Sequence, residues 1–175
     1  ALNYLNRAKS LDKMNKTLYP EKVTTLLGLE LYDQALKAAD TALIIKETAQ
    51  NYFNRGKVYV KLNNYVLAEK ELKKAIAKDK KYAEPRIELS DLYLKNNKQQ
   101  EALEQINIVL AGDPKNADAY IIRSKIYKAN LDYPNAINDI SKTILIDPEN
   151  PDYYMIRGTY YQEFNQQLNA IADFS

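Results

Sequence analysis

The stretch that decides the fold is YIIRSKIYKANLDYPNAINDISKTILIDP, residues 120–148. Its features recur along the chain at a nearly constant period, which alanines mark most clearly. The spacings between these alanines are 34, 33, 34, 34 and 34 residues, for Ala1, Ala35, Ala68, Ala102, Ala136 and Ala170. A fixed period in this range indicates a solenoid of stacked repeats.

Each repeat is predicted to be a pair of antiparallel helices. In the first half of the quoted stretch, Tyr120, Ser124 and Tyr127 follow one another at intervals of four and three residues, which is helical periodicity. Small residues at Ser124 and its equivalents let the second helix approach, and Ala136 fills the facing position. Pro148 ends the second helix, because proline cannot donate a backbone hydrogen bond. Equivalent small residues are Gly56, Ser90 and Gly158.

These positions resemble the tetratricopeptide repeat family, whose pattern of a large aromatic residue, a small residue, tyrosine, alanine and proline recurs here. The pattern occurs at Tyr154, Gly158, Tyr161 and Ala170, and again in the quoted stretch from Tyr120 to Pro148. The resemblance implies an all-α fold, a right-handed superhelical solenoid of antiparallel helix pairs.

The whole chain, 1–175, is predicted to be a single array. A partial unit, 1–15, precedes units 16–48, 49–82, 83–116 and 117–150, and a truncated unit covers 151–175. We expect unit 16–48 to be shorter or bent, since Pro20 and Gly28 disturb its first helix. Ala1 and Ser175 both fall inside second helices, so we expect the chain to be an internal piece of a longer protein.

Catalysis is disfavoured by composition. The chain has no histidine and no cysteine, which removes the usual general base near neutral pH and the common zinc ligands. We therefore predict no catalytic residue, no cofactor and no metal site, and classify the protein as not an enzyme. Glu84, Glu88 and Asp91 share one helix face, but one helix rarely supplies six oxygen ligands, so a solvated face is favoured over a cation site.

Charged residues recur within the repeats as well. Arg55, Arg123 and Arg157 precede the small residue, and an acid stands sixteen residues after each, at Glu71, Asp139 and Asp173. In the repeat at 83–116 the position of the arginine is taken by Leu89, and the residue sixteen positions later is Gln105. Arginine and acid thus occur together, which predicts an ion pair inside each repeat, with the arginine stem packed against tyrosines.

Nucleic acid binding and membrane insertion are not expected. Most tyrosines take core positions, the lysines of residues 73–81 lie on a second helix, and the net charge is only +2. No apolar run approaches the roughly 20 residues that span a bilayer.

A protein partner is the function that the resemblance implies, through the concave surface lined by first helices. Numbering each repeat from its first residue, places two, five, nine and twelve line that groove in the family. Place five forms an apolar stripe, which suggests a contact surface; the alternative is that neighbouring helices cover it. The predicted groove residues are Phe53, Lys57, Glu84, Ile87, Asp91, Asp118, Ile121, Lys125, Asp152 and Met155.

The predicted partner is a protein or peptide with apolar anchors and some basic residues, because place two is acidic. Chaperone-binding members of the family clamp a C-terminal carboxylate with lysine, arginine and asparagine. Here acids such as Glu84 and Glu88 occupy clamp places, so we expect no binding of an EEVD-type chaperone tail.

The predicted function is a non-enzymatic protein-protein interaction scaffold within a larger protein or complex. One alternative is a regulatory or targeting arm of an enzyme whose catalytic domain lies outside this chain. Another is a structural role, with the apolar stripe packing on flanking segments. The composition favours a bacterial cell-envelope protein, and a cytoplasmic location is the alternative.

Overall fold

The computed structural model describes residues 17–175, and the partial unit predicted at 1–15 lies outside this range. The described residues form helices joined by short turns, with no β-strand among them. No helix in residues 17–175 is both long enough and apolar enough to cross a membrane. The helices are α1 (17–28), α2 (Tyr32–Ile45), α3 (Ala49–Lys61), α4 (Tyr65–Lys78), α5 (Ala83–Lys95), α6 (Gln99–Gly112), α7 (Ala117–Ala129), α8 (Tyr133–Ile146), α9 (Pro151–Glu163) and α10 (Gln167–Phe174).

The helix bounds confirm two helices per repeat in the described units. Pro114 and Pro148 follow the ends of α6 and α8, whereas Pro151 opens α9. Polar side chains begin several helices by accepting a backbone N–H: the Thr48 hydroxyl caps α3 and the Asn116 amide oxygen caps α7. Such caps satisfy donors that the first turn leaves without intrahelical partners.

The turn inside each repeat is closed by a residue in the left-handed conformation. Its φ lies between 56° and 59° at Glu30, Asn63, Asn97, Leu131 and Asn165. The following N–H then donates to a carbonyl five residues earlier; Asp132 N, for example, lies 2.9 Å from Tyr127 O. This is a Schellman-type helix end, in which glycine or asparagine is usual. The recurring asparagines are a sequence signal for this turn that the template of aromatic and small residues overlooks.

Within residues 17–48, the first full unit has the same helix pair as the other repeats, and the expectation that it is shorter or bent stays a prediction. Residues 17–28 are one continuous helix through Pro20, and the helix ends at Gly28. Helix α2 has 14 residues, as α4, α6 and α8 do. Val23 takes the place that glycine or serine holds in the other repeats, and it is fully buried.

The template alanines lie at the centre of the helix pairs. Ala35, Ala68, Ala102 and Ala136 are fully buried. A Cβ added at Gly56 would approach the Leu72 side chain to 3.0 Å, which explains why a small residue is needed at this place. The close approach of first and second helices therefore depends on small side chains from both.

The described chain divides into two compact units, with the division between Glu88 and Leu89. In the first unit, Val23, Leu26 and Val58 pack with the small residues of α2. In the second, Ile140 and Ile144 of α8 pack with Tyr160 of α9. That the whole chain forms a single array stays a prediction.

Candidate protein-binding site

We call the side chains at places two, five and nine of the first helices the first-helix face. Places two, five and nine are three and four residues apart, so they share one side of a helix. On α7, Ser124 and Ile126 are buried in the repeat, whereas Asp118 and Lys125 are exposed. Packing inside the repeat thus leaves the first-helix face of α7 with accessible charged groups.

In the first compact unit, Phe53 does not present the exposed apolar surface that place five predicts. Its side chain is only 8% exposed. The Tyr82 ring meets it edge to face at a centroid distance of 5.4 Å, and Lys57 Nζ lies 5.5 Å from its centroid. At this residue the apolar ring is covered by Tyr82, which lies in the turn before α5.

A hydrogen-bonded network surrounds this aromatic pair. The Tyr82 hydroxyl donates to Gln50 Oε1 at 2.7 Å, and Gln50 Nε2 donates to Asn54 Oδ1 at 2.9 Å. Burial, followed by the nearby Glu84 charge, raises the pKa of Tyr82 to about 12. These polar groups are engaged with one another, so this part of the face is largely closed. Ile87 is half-buried, and Glu84 is exposed.

In the second compact unit, place five differs between its two first helices. Ile121 is half-buried and packs against the cluster of Ile140 and Tyr160. Met155 is 55% exposed. The apolar stripe is therefore not one uniform exposed row, and Met155 is its accessible member in residues 89–175.

The acidic residues of the face remain accessible. Asp118 and Asp152 are exposed at place two of α7 and α9. Asp91 is half-buried, and its carboxylate pairs with Lys95 Nζ at 2.6 Å. Within residues 17–175, no group of three acidic side chains has the arrangement of a metal site. The face in this unit can therefore offer carboxylates to a positively charged ligand.

The predicted ion pairs are confirmed in all three repeats that carry the arginine. Arg123 holds Asp139 with two bonds, Nε to Oδ2 at 2.7 Å and Nη2 to Oδ1 at 2.9 Å. Arg157 binds Asp173 in the same way, and Arg55 donates twice to one oxygen of Glu71. The hydrogen bond to Asp139 raises the pKa of Arg123, and burial opposes that effect.

Each arginine also reaches the second helix of the preceding repeat, which the sequence template did not predict. Arg123 Nη1 donates to Asn107 Oδ1 at 2.9 Å, Arg157 Nη1 to Ser141 Oγ at 3.2 Å, and Arg55 Nη1 to Asp40 Oδ1 at 2.9 Å. We call this three-helix arrangement the arginine clasp. Its role is structural, because its carboxylate is buried inside the repeat.

Tyrosine rings flank the clasp, as predicted. The Arg123 guanidinium lies 5.4 Å from the Tyr120 centroid and 5.8 Å from the Tyr127 centroid. Arg157 lies similarly between Tyr154 and Tyr161. These tyrosines stabilise a buried charge by cation–π contact, which is a structural reason for their recurrence.

A repeated all-helical array with an exposed, partly acidic first-helix face is the form of a protein-interaction scaffold. The tetratricopeptide repeat family model matches residues 59–126. No curated protein matches the sequence.

Solved structures share the fold across nearly the whole chain. PilF from Pseudomonas aeruginosa has a TM-score of 0.84 at 14% identity, with 93% of this chain and 75% of PilF covered. A thermophilic tetratricopeptide repeat protein from Thermus thermophilus gives 0.79 at 16% identity, covering 91% and 88%. YrrB, a repeat protein with an unusual peptide-binding site, gives 0.66 at 18%, covering 96% and 87%. The family model and these structures agree with the resemblance predicted from the sequence: the model matches part of the chain, and the structures share its fold.

Proposed function

We propose that this protein is a non-enzymatic scaffold that binds a peptide segment of a partner protein on its first-helix face, as part of a larger protein or complex. The observation that carries the proposal is the exposure of Asp118, Asp152 and Met155 on helices whose opposite sides are buried in the repeats. The exposed surface of these side chains is not used in packing the second compact unit. They are accessible for contacts with another molecule.

The partner segment is inferred from the chemistry of these residues. Two exposed carboxylates attract lysine or arginine, and methionine is a flexible apolar group that adapts to different side chains. A segment with basic residues beside an apolar anchor matches both features. The peptide-binding site described for YrrB, which has the same fold, supports a peptide ligand.

The test is selection of binders from a displayed library of random peptides, using the chain and a variant with Asp118→Lys, Asp152→Lys and Met155→Lys. We expect the unaltered chain to enrich peptides that combine lysine or arginine with large apolar residues. The variant should lose these peptides, because its charge is reversed and its apolar contact is removed. Circular dichroism must first show equal helix content.

A matched control changes two exposed acids and one exposed aliphatic residue on second helices, as Glu101→Lys, Glu104→Lys and Leu145→Lys. It alters net charge by the same amount as the first variant. The control should keep the selected peptides. If the control loses them too, or if the first-helix variant retains them, the binding site lies elsewhere.

An acidic C-terminal peptide provides a second test of charge selectivity. A peptide ending in Glu-Glu-Val-Asp should give no binding heat in calorimetry, because Asp118 and Asp152 repel its carboxylates. Saturable binding of that peptide would contradict the proposed specificity.

A further inference from the structure

Helix α7 carries opposite charges on its first-helix face. Asp118 lies at place two and Lys125 at place nine, and both side chains are exposed. Ile121, which is half-buried, lies between them at place five. An α-helix rises about 1.5 Å per residue, so about 10 Å separates the acidic and basic positions along the helix axis. The face of α7 therefore offers an anionic, an apolar and a cationic group in a row.

The exposure of these groups is that of a helix with neighbours on both sides. Helix α7 contacts α6 and α8, and α8 in turn contacts α9. Neither Asp118 nor Lys125 forms an ion pair with another residue in the range 17–175. At place nine of α5, by contrast, Asp91 is already paired with Lys95 at 2.6 Å. The two charges of α7 are thus available to another molecule.

The dipole of α7 explains only part of this pattern. A carboxylate in the first turn and a cation in the last turn stabilise a helix, which accounts for Asp118 and Lys128. Lys125 precedes the last turn, where this effect has fallen off. No residue three or four positions from Lys125 is acidic, and Lys128 repeats its charge three positions later. Within the helix, the charge of Lys125 therefore has a small cost and no compensating partner.

We propose that the face of α7 binds an amphipathic helix of the partner protein, an inference that rests on the proposed function of the first-helix face. This helix carries an acidic residue opposite Lys125, an apolar residue opposite Ile121 and a basic residue opposite Asp118. Lys125 and Ile121 are four residues apart, and Ile121 and Asp118 are three apart. In an antiparallel partner helix, the acid is thus followed by the apolar residue at i+4 and by the base at i+7, all on one face.

An extended segment matches these positions less well than a helix does. Its side chains share a face at every second residue, so three contacts span about 13–14 Å instead of about 10 Å. A helix has the same rise as α7 and keeps all three contacts in register. Nearly antiparallel packing at a crossing angle of about 20° is a common arrangement of two helices. It also brings the acid towards the start of the partner helix and the base towards its end, which the partner's own dipole favours.

The first test is the sequence pattern of peptides that the unaltered chain selects from a displayed library of about 16 random residues, a length that permits a helix. Enriched peptides should carry an acid, an apolar residue and a base at i, i+4 and i+7. Enrichment of basic and apolar residues with no acid at that spacing overturns this inference and leaves the proposed function standing. Failure to enrich any peptide overturns both.

Fluorescence anisotropy of one labelled, selected peptide tests the Lys125 contact directly. Lys125→Glu should weaken the binding of this peptide by about fivefold or more, because an attraction becomes a repulsion. A second peptide, in which lysine replaces the acidic residue, should bind the Lys125→Glu variant more tightly than the unaltered chain. The same second peptide should not restore binding to Asp118→Lys. If the Lys125→Glu variant does not prefer the second peptide, the assigned pairing is wrong.

The matched control is Lys70→Glu, which makes the same change of charge at an exposed lysine of the second helix α4. It should bind the selected peptide as the unaltered chain does. Equal losses of affinity in Lys70→Glu and Lys125→Glu mean that net charge alone governs binding, which overturns the assigned site. Circular dichroism must first show that both variants keep the helix content of the unaltered chain.

Discussion

Replacing Arg123 by leucine removes the centre of one arginine clasp. Asp139 is 1% exposed and receives two hydrogen bonds from this guanidinium. After the substitution, the nearest remaining cation is Lys142, whose Nζ lies 3.5 Å from Asp139 Oδ1 on a 40% exposed side chain. The carboxylate then stays buried with weaker compensation. The repeat should be destabilised more than by the loss of one surface ion pair.

The size of the effect follows from the groups involved. Removing one partner of a buried ion pair costs about 3–5 kcal/mol, and we take about 3 because Lys142 partly compensates and Arg123 is itself partly exposed. Losing the Asn107 hydrogen bond and the tyrosine contacts accounts for about 1–1.5 kcal/mol of this. Replacing Asp139 by glutamine in addition should recover the remainder, about 1.5–2 kcal/mol, because no unpaired buried charge is left.

The chain supplies its own precedent for this double change. Leu89 and Gln105 already occupy the arginine and acid places of the repeat at 83–116. The assay is urea unfolding followed by circular dichroism for the unaltered chain, Arg123→Leu, Asp139→Gln and the pair. If the change in unfolding free energy of the double variant equals the sum of the two single changes to within about 0.5 kcal/mol, the two residues do not interact energetically. That result would refute the clasp as a coupled unit.

Three further predictions use thermal or urea unfolding. Leu131→Asn should stabilise the chain by about 1 kcal/mol, and Asn97→Leu should destabilise it by a similar amount, since asparagine tolerates the left-handed turn better than leucine. Equal effects of the same sign would contradict this assignment of the turn. Gly158→Ala should destabilise the chain more than Gly28→Ala, because the added Cβ would overlap the Phe174 ring and force that partly exposed ring to move, whereas nothing lies near Gly28. The pKa of Tyr82 is raised from 10 to about 12 in the folded chain, so its contribution to the free energy of unfolding is fully present below pH 10 and is lost as pH rises from 10 towards 12. The difference in unfolding free energy between the unaltered chain and Tyr82→Phe should therefore narrow over that range. A constant difference would contradict the burial of the phenol.

Much of the fold was predictable because repeat packing uses the same side-chain sizes each time. Alanine at 136 and a small residue at 124 let two helices approach closely, and because most repeats use the same choice, the constraint is visible as a period in the sequence. The ion pairs were predictable for the same reason, since arginine and acid appear and disappear together. The contact from Arg123 to Asn107 was missed, because the partner in the preceding helix differs from repeat to repeat.

The candidate site was less predictable, because exposure depends on neighbouring side chains and not on place alone. Phe53 and Met155 occupy the same place of the repeat, yet Tyr82 covers Phe53 and Met155 is exposed. The acids at place two were easier to predict. They lie near the start of a first helix, where packing within the repeat does not reach them.

The arginine clasp also predicts which first helix is released most easily. A clasp links the first helix of a repeat to two second helices, so releasing α3, α7 or α9 breaks charged hydrogen bonds on both sides. Helix α5 carries Leu89 at the clasp place and can be released without that loss. In a linear array, stability is set by each repeat and its neighbours. Among α3, α5, α7 and α9, the backbone hydrogens of α5 should therefore exchange fastest, and proteases should cut α5 most readily.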